Sequence, residues 1–151
     1  MPDAWDPARY ERFAAERAQP FWDLVALLED APIRRAADLG CGTGALTAAL
    51  AEQRAIDDVV GIDASANMLA EAAGRARPGL RFEHGDIATW TAPAAYDLVL
   101  SNAALHWVPD HQAVVARWWA AVAPGGQLAV QLPANADHAA HRVAAEGAAS
   151  P

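Results

Sequence analysis

The feature that most constrains this chain is a regular alternation of short apolar strands with helices. The hydrophobic pattern predicts strands at 34–39, 58–63, 80–84, 96–101 and 127–132, with helices at 43–54, 65–77 and 110–122. Strands that alternate with helices of this length form a parallel sheet, with helices packed on both faces. We therefore expect an α/β fold built around five parallel strands.

Two further segments flank this core. Residues 1–30 predict a small N-terminal helical cap, in which Gln19-Pro20 breaks one short helix and starts another. Residues 31–133 carry the strand-helix alternation and are expected to form the main domain. Residues 134–151 are rich in alanine, so we interpret them as a truncated tail. The fifth strand would then lie at an open edge of the sheet.

Composition narrows the class of protein. A chain of 151 residues has room for one domain with one core. A net charge of -8 disfavours a nucleic-acid partner, since binding to phosphate backbones needs a basic surface. Cys41 is the single cysteine and the histidines are scattered, so we expect neither a disulfide nor a metal site. No signal peptide or membrane-length apolar run is recognised, which predicts a cytoplasmic protein without membrane contact. These patterns do not determine an oligomeric state.

A glycine-rich segment, AADLGCGTGALT at 36–47, lies where the first strand meets the first helix of the alternation. Gly40, Gly42 and Ala45 fit the dinucleotide pattern G-x-G-x-x-G/A. Gly40, Gly42 and Gly44 also fit a tighter G-x-G-x-G preceded by an acid, Asp38. The two patterns predict different cofactors.

Asp38 favours the second pattern. A dinucleotide loop presents backbone N–H groups to a pyrophosphate, and a carboxylate beside that loop would repel the phosphate. S-adenosylmethionine has no phosphate and carries a cationic sulfonium and an ammonium group, so a nearby carboxylate suits it. The alternative role for Asp38 is to accept hydrogen bonds from the N–H groups of the loop itself.

Further acids and polar segments follow the later strands. Asp63 ends the second strand, where a carboxylate can bind ribose hydroxyls or cap a turn before Ser65. Gly85-Asp86-Ile87 follows the third strand, where Asp86 can accept from an adenine amine and Ile87 can pack on the ring. The segment SNAALHW at 101–107 follows the fourth strand, over the open edge of the predicted pocket. Carboxyl ends of parallel strands are where α/β folds bind ligands.

These motifs, with Pro124-Gly125-Gly126 before the fifth strand, resemble in order and spacing the class I S-adenosylmethionine-dependent methyltransferases. Within that superfamily, WDPARYERFAAERAQPFWDL, DLGCGTG, GIDASANML, GDIATW and SNAALHWVPDH resemble the trans-aconitate 2-methyltransferase family, over about residues 4–138. The resemblance implies a Rossmann-like sheet, S-adenosylmethionine as cofactor, and methylation of a small carboxylate, trans-aconitate, to its monomethyl ester. Family members are larger, so the resemblance also implies that the last strands are missing here.

The resemblance assigns individual roles. The residues expected to contact the cofactor are Arg17, Asp38, Gly40, Gly42, Gly44, Asp63, Ala64, Met68, Asp86, Ile87 and Asn102. His106 and Trp107 are expected at the reaction centre. His106 could be a base for a hydroxyl acceptor, but a hydrogen-bond donor to a carboxylate or a pocket wall is favoured, and Trp107 is expected to be a wall. Two of these assignments have plain alternatives, since Arg17 could be a solvated surface charge and Met68 a core residue. Arg9 and Arg12 are candidates for binding the acceptor's carboxylates.

A carboxylate acceptor needs no general base, because it is already ionised at pH 7. The absence of a Ser-His-Asp or Cys-His arrangement is therefore consistent with this chemistry. Three alternatives stay open at the level of the sequence. They are a methyltransferase with another small-molecule acceptor, a cofactor-binding module without turnover, and an NAD-dependent oxidoreductase.

Overall fold

The computed structural model describes residues 14–133, with side chains from residue 18 onward. The elements in chain order are α1 (Ala14–Ala26), β1 (Arg35–Leu39), α2 (Ala45–Gln53), β2 (Asp58–Asp63), α3 (Ala66–Ala73), β3 (Leu80–His84), β4 (Tyr96–Asn102), a 3-10 turn (Leu105–Trp107), α4 (His111–Trp119) and β5 (Val122–Gln131). Ser65 caps α3 as the sequence predicted, because its hydroxyl accepts from the Met68 N–H at 3.1 Å.

The five strands form one parallel sheet in the order β3-β2-β1-β4-β5. The chain builds outward from β1 to β3 and then returns to the other side of β1 with β4. All carboxyl ends therefore meet at one edge, with the reversal of strand order between β1 and β4. In open α/β sheets this reversal leaves a crevice that binds ligands.

Strand periodicity explains why both faces of the sheet are covered. Successive side chains of a strand point to opposite faces, so Val59 and Val60 of β2 enter two different apolar clusters. Phe21 of α1 belongs to the cluster on the first face, together with Leu50 of α2. Trp118 of α4 is fully buried in the cluster on the second face. The prediction of a parallel sheet with helices on both faces is confirmed.

The helix expected to reach Arg77 ends at Ala73, and Arg77 instead forms an isolated antiparallel bridge with Leu80. Two further predicted boundaries are wrong, for reasons of tertiary packing. The expected break at Gln19-Pro20 does not occur, since α1 continues through Pro20. Burial of Phe21 and a hydrogen bond of 2.7 Å from Gln19 to Asp23 hold the helix across the proline, although proline removes one backbone bond. The preceding part of the predicted cap and the tail at 134–151 lie outside the described residues.

The second of these two boundaries concerns the start of β5. The helix was expected to reach Val122 and the strand to follow Pro124-Gly125-Gly126, but Val122 already pairs with Tyr96. The next register pair is Leu98 with Gln127, so the Pro-Gly-Gly segment forms a bulge within the strand. A Cβ on Gly126 would lie 2.8 Å from the Tyr96 carbonyl oxygen, which explains why glycine occupies this position. Across residues 14–133, no helix has the length and apolar character needed to cross a membrane.

Candidate cofactor-binding site

The glycine loop is closed by its own hydrogen bonds. The N–H groups of Gly40 and Cys41 both donate to the Ile62 carbonyl, at 2.8 and 3.0 Å. The Gly44 N–H donates to the Cys41 carbonyl at 3.0 Å, and the Gly42 N–H donates to Asp63 Oδ2 at 2.8 Å. Four N–H groups of the loop are thus already used within the chain. A loop that binds pyrophosphate would have to leave such groups free for the phosphate oxygens.

Two of the glycines are required by close packing. Gly40 has a φ of 84°, and a Cβ there would lie 2.3 Å from the Cβ of Ala104. Gly44 has a φ of 73°, and a Cβ there would lie 2.5 Å from the Phe82 ring. Glycine therefore lets the loop lie against the segment after β4 on one side and against β3 on the other.

Asp63, at the carboxyl end of β2, joins the loop to the start of α3. Its Oδ2 accepts from the Gly42 N–H, and its Oδ1 accepts from the Ser65 N–H at 2.9 Å. Each carboxylate oxygen has a second lone pair, so Asp63 can still accept hydrogen bonds from a ligand. The sequence allowed two roles for Asp63, a turn cap and a ligand-binding carboxylate. Asp63 forms an Asx turn before Ser65 and also borders the cavity described below, so its position is compatible with both roles.

Asp38 lies one layer beneath the loop. It is buried and accepts a hydrogen bond of 2.6 Å from the Thr47 hydroxyl of α2. Burial raises its pKa from 3.8 to about 6, against the lowering effect of the Thr47 bond, and the charge of Asp63 raises it further. The structure therefore places Asp38 as a link between β1 and α2. Burial likewise raises the pKa of the neighbouring Cys41 thiol, which stays protonated.

The segment after β3 is fixed by α4. The Trp118 indole N–H donates to the Ile87 carbonyl at 2.9 Å, and Arg117 donates to the Ala88 carbonyl. Asp86 accepts from the Ala88 N–H at 2.8 Å, which shapes the turn. These bonds hold Asp86 and Ile87 beside the carboxyl end of the sheet, as the sequence predicted from their position after a strand.

A cavity of about 530 Å³ lies at this edge of the sheet, a size typical of small-molecule sites. The predicted residues that line it are Gly40, Gly42, Asp63, Ala64, Met68, Asp86, Ile87, Asn102, His106 and Trp107. Asp38 and Gly44 are not among the lining residues, because the loop lies between Asp38 and the cavity and Phe82 covers Gly44. The side chain of Arg17 lies outside the described part of the chain. Met68 is 2% exposed, so it serves the core and the cavity wall together.

Ala103 and Ala104 line the cavity within the segment 101–107 that the sequence placed over its open edge. The sequence assigned no place in the cavity to four other lining residues: Pro20, Val108, Gln131 and Pro133. Gln131 shares with Asp63 and Asn102 the property that could have identified it, a polar side chain at the carboxyl end of a strand. Pro20 lines the cavity because α1 packs near the glycine loop and the segment after β4, and no local sequence motif predicts a contact between such distant parts of the chain.

His106 and Trp107 form the outer wall of the cavity. Their rings are 4.7 Å apart between centroids, and Trp107 is 67% exposed. Partial burial lowers the pKa of His106, and the neighbouring His111 lowers it further, so the imidazole is neutral at pH 7. A neutral imidazole can donate a hydrogen bond to a ligand at the mouth of the cavity.

The charge of the cavity wall is negative at one end. Asp63 and Asp86 lie at the carboxyl ends of β2 and β3, and no Arg is found among the lining residues that the structure describes. Such a wall attracts a cationic or neutral ligand and repels a phosphate. Within residues 18–133 no cluster of three or more His, Cys, Asp or Glu side chains has the arrangement of a metal site.

The fold and this site define a class of protein. Residues 36–126 match the family model described as a methyltransferase domain, and the chain belongs to that family. The matched range begins within β1 and ends in the bulge of β5, so it includes the glycine loop, Asp63 and the segment after β4.

Curated proteins that are similar over nearly the whole of this chain have more specific names. The chain is 49% identical over 139 residues to trans-aconitate 2-methyltransferase of Deinococcus radiodurans, covering 92% of this chain and 53% of that one. It is 44% identical over 150 residues to the enzyme of the same name from Streptomyces avermitilis, covering 95% and 56%. The chain thus spans about half the length of the curated relatives it matches.

A solved structure shows the same fold. An S-adenosylmethionine-dependent methyltransferase from Mesorhizobium loti superposes with a TM-score of 0.67 and 31% identity, over 75% of this chain and 52% of that one. The sheet described above is therefore the Rossmann-like sheet of class I methyltransferases, as the resemblance implied.

Proposed function

We propose that this chain binds S-adenosylmethionine and forms the cofactor-binding part of an enzyme that methylates a carboxylate of trans-aconitate. The observation that carries the proposal is the closed glycine loop. Four of its N–H groups bind the chain itself, and acids rather than cations border the cavity. That chemistry suits a cationic nucleoside without phosphate better than a dinucleotide. The names of the relatives support the acceptor.

The described residues fit this cofactor in three places. The free lone pairs of Asp63 can accept from the two ribose hydroxyls, while its bonds to Gly42 and Ser65 hold it in position. Asp86 can accept from the adenine amine, and Ile87 offers an apolar surface for the ring. Gly40 and Ala104 both line the cavity and pack so closely that a Cβ on Gly40 would lie 2.3 Å from the Ala104 Cβ, so glycine is needed at this point of the wall.

When bound, S-adenosylmethionine supplies a methyl group on a cationic sulfur, and transfer to a carboxylate oxygen breaks one C–S bond and forms one C–O bond. The protein's contribution is to position the two reactants, which can supply about 7–11 kcal/mol of the barrier. No residue has to remove a proton from a carboxylate that is ionised at pH 7. In this proposal neutral His106 donates a hydrogen bond to the acceptor and Trp107 limits access of water, and both residues line the cavity.

The binding half of the proposal is tested by calorimetric titration with S-adenosylhomocysteine, the demethylated product. We expect Asp63→Ala to weaken binding at least 100-fold, and Asp57→Ala to leave it unchanged. Asp57 is a matched control because it is exposed and precedes the same strand at the opposite end. Equal affinity of the Asp63 variant, with an unchanged melting temperature, would remove the ribose role.

The catalytic half is tested by measuring ester formation from trans-aconitate, cis-aconitate and citrate. The longer Deinococcus relative serves as the positive control in the same assay. We expect trans-aconitate to be the preferred acceptor. Binding of the cofactor without turnover would support the open alternative, a cofactor-binding module.

A further inference from the structure

Two side-chain amides, whose oxygens have no protein partner, border the cavity at its β4–β5 end. Asn102 and Gln131 are register partners at the carboxyl ends of these adjacent strands. The Asn102 Oδ1 and the Gln131 Oε1 are both shielded from solvent and accept no hydrogen bond. Both residues line the cavity. A buried polar atom without a partner is destabilising, so two of them side by side at a cavity wall indicate a place where a ligand completes the bonding.

The backbone holds the two amides together. The Ala103 N–H donates to the Gln131 carbonyl at 2.8 Å, which extends the pairing of β4 and β5 beyond Asn102. Ala103 itself has a φ of 53°, a left-handed conformation that is unfavourable for alanine. Strained residues of this kind gather at functional sites. The strand ends are thus fixed, while the amide oxygens of Asn102 and Gln131 accept no hydrogen bond from the chain.

The position of Gln131 separates it from the acids of the cavity. Neighbouring strands lie about 4.8 Å apart, and β5 is three strands away from β2, so Gln131 is about 14 Å from the strand end that carries Asp63. Asp86 follows β3, one strand further away. The cavity therefore has an acidic end and an end with neutral hydrogen-bonding groups.

The sign of the charge decides which ligand group each end receives. The acidic end, which the proposed function assigns to the ribose and the adenine, repels a carboxylate toward the amides. An amide can donate two hydrogen bonds to a carboxylate and can exchange its oxygen and nitrogen ends by a half-turn. Neutral donors can position a carboxylate without neutralising the negative charge with which its oxygen attacks the methyl group.

We infer that Asn102 and Gln131 together bind the carboxylate that accepts the methyl group and so determine the choice of acceptor. This assignment rests on the function proposed above. It adds Gln131 to the site, and it moves the side chain of Asn102 from the cofactor to the acceptor. His106, in the 3-10 turn that follows β4, also lines the cavity and is a further uncharged donor.

The experiment is a calorimetric titration of trans-aconitate into the chain saturated with S-adenosylhomocysteine. We expect Gln131→Leu to weaken trans-aconitate at least 10-fold, and Gln131→Glu, which has nearly the same shape and adds a negative charge, about 100-fold. Affinity for S-adenosylhomocysteine is expected to stay within 3-fold in both variants, which also shows that they are folded. Gln53→Leu, at the exposed end of α2, is the matched control and should change neither affinity.

Three results would overturn the inference while leaving cofactor binding intact. They are an unchanged affinity of Gln131→Leu for trans-aconitate, no binding of trans-aconitate by the unaltered chain with its bound product, and tighter S-adenosylhomocysteine binding by Gln131→Glu. The last result would mean that the amides hold the ammonium of the cofactor instead. Failure of the unaltered chain to bind S-adenosylhomocysteine would contradict the proposed function itself.

Discussion

Replacing Asp38 with Asn is expected to stabilise the protein at neutral pH, by an amount that shrinks as the pH falls. Asp38 is buried beneath the glycine loop, and its pKa is raised from 3.8 to about 6. In that pH interval the unfolded chain has already lost this proton while the folded chain still holds it. Stability from this group is therefore fully present below pH 3.8 and is lost as the pH rises through about 6.

The size of the effect follows from the two pKa values. A change from 3.8 to about 6 corresponds to about 3 kcal/mol in the free energy of unfolding once Asp38 is ionised in both states. Asn has the same shape and can still accept from the Thr47 hydroxyl, but carries no charge to bury. The advantage of the variant should grow from about 1 kcal/mol at pH 4.5 to about 3 kcal/mol at pH 7.5, with a melting temperature about 5–10 °C higher at pH 7.5.

The assay is urea unfolding followed by tryptophan fluorescence, with both proteins measured at several pH values between 4.5 and 7.5. Taking the difference between them cancels the titration of every other group. The surface variant Asp57→Asn is the control and should change the free energy of unfolding by less than about 0.5 kcal/mol throughout. A difference between Asp38→Asn and the unaltered chain that is the same at pH 4.5 and pH 7.5 would refute the argument from burial.

Further predictions concern the loop, the start of β1 and the chemistry. Gly40→Ala should destabilise the fold, since its Cβ would lie 2.3 Å from that of Ala104. Adding Ala104→Gly should restore only part of the lost stability, because a φ of 84° still disfavours alanine at position 40. Full recovery of the melting temperature in the double variant would show that strain at this φ is negligible. Asp97→Ala should cost about 1–2 kcal/mol in urea unfolding, because its carboxylate accepts from two backbone N–H groups at 2.8 and 2.9 Å, and a loss below 0.3 kcal/mol would contradict that role. Ester formation should depend little on pH between 6.5 and 8, since a carboxylate needs no base, whereas a rate proportional to deprotonation of His106 would point to an acceptor hydroxyl.

The sequence predicted the order of the strands along the chain and most of their bounds. β2 and β3 begin and end where expected, because β2 contains a short apolar run, apolar and polar residues alternate in β3, and the two strands end at Asp63 and His84 before a turn signal. The prediction failed where tertiary contacts outweigh local preference. Pro20 continues a helix that buries Phe21, and the Pro-Gly-Gly segment is an unpaired bulge within β5 instead of a turn before it.

The candidate site was predictable where each residue immediately follows a strand. Asp63, Asp86 and Asn102 lie at the carboxyl ends of three parallel strands, which topology brings to one edge. The layering beneath the loop was not predictable, because the motif does not reveal that Asp38 turns toward Thr47. The contribution of Gln131 depends on the register of β4 against β5, which a bulge shifts and which no local pattern specifies.

The most direct test of the account is a pair of calorimetric titrations on the unaltered chain, one with S-adenosylhomocysteine and one with NAD. The closed glycine loop and the acidic cavity wall predict binding of S-adenosylhomocysteine and no detectable binding of NAD. Tight binding of NAD with no heat from S-adenosylhomocysteine would contradict the central claim, because it would require the loop to release its own hydrogen bonds to hold a pyrophosphate.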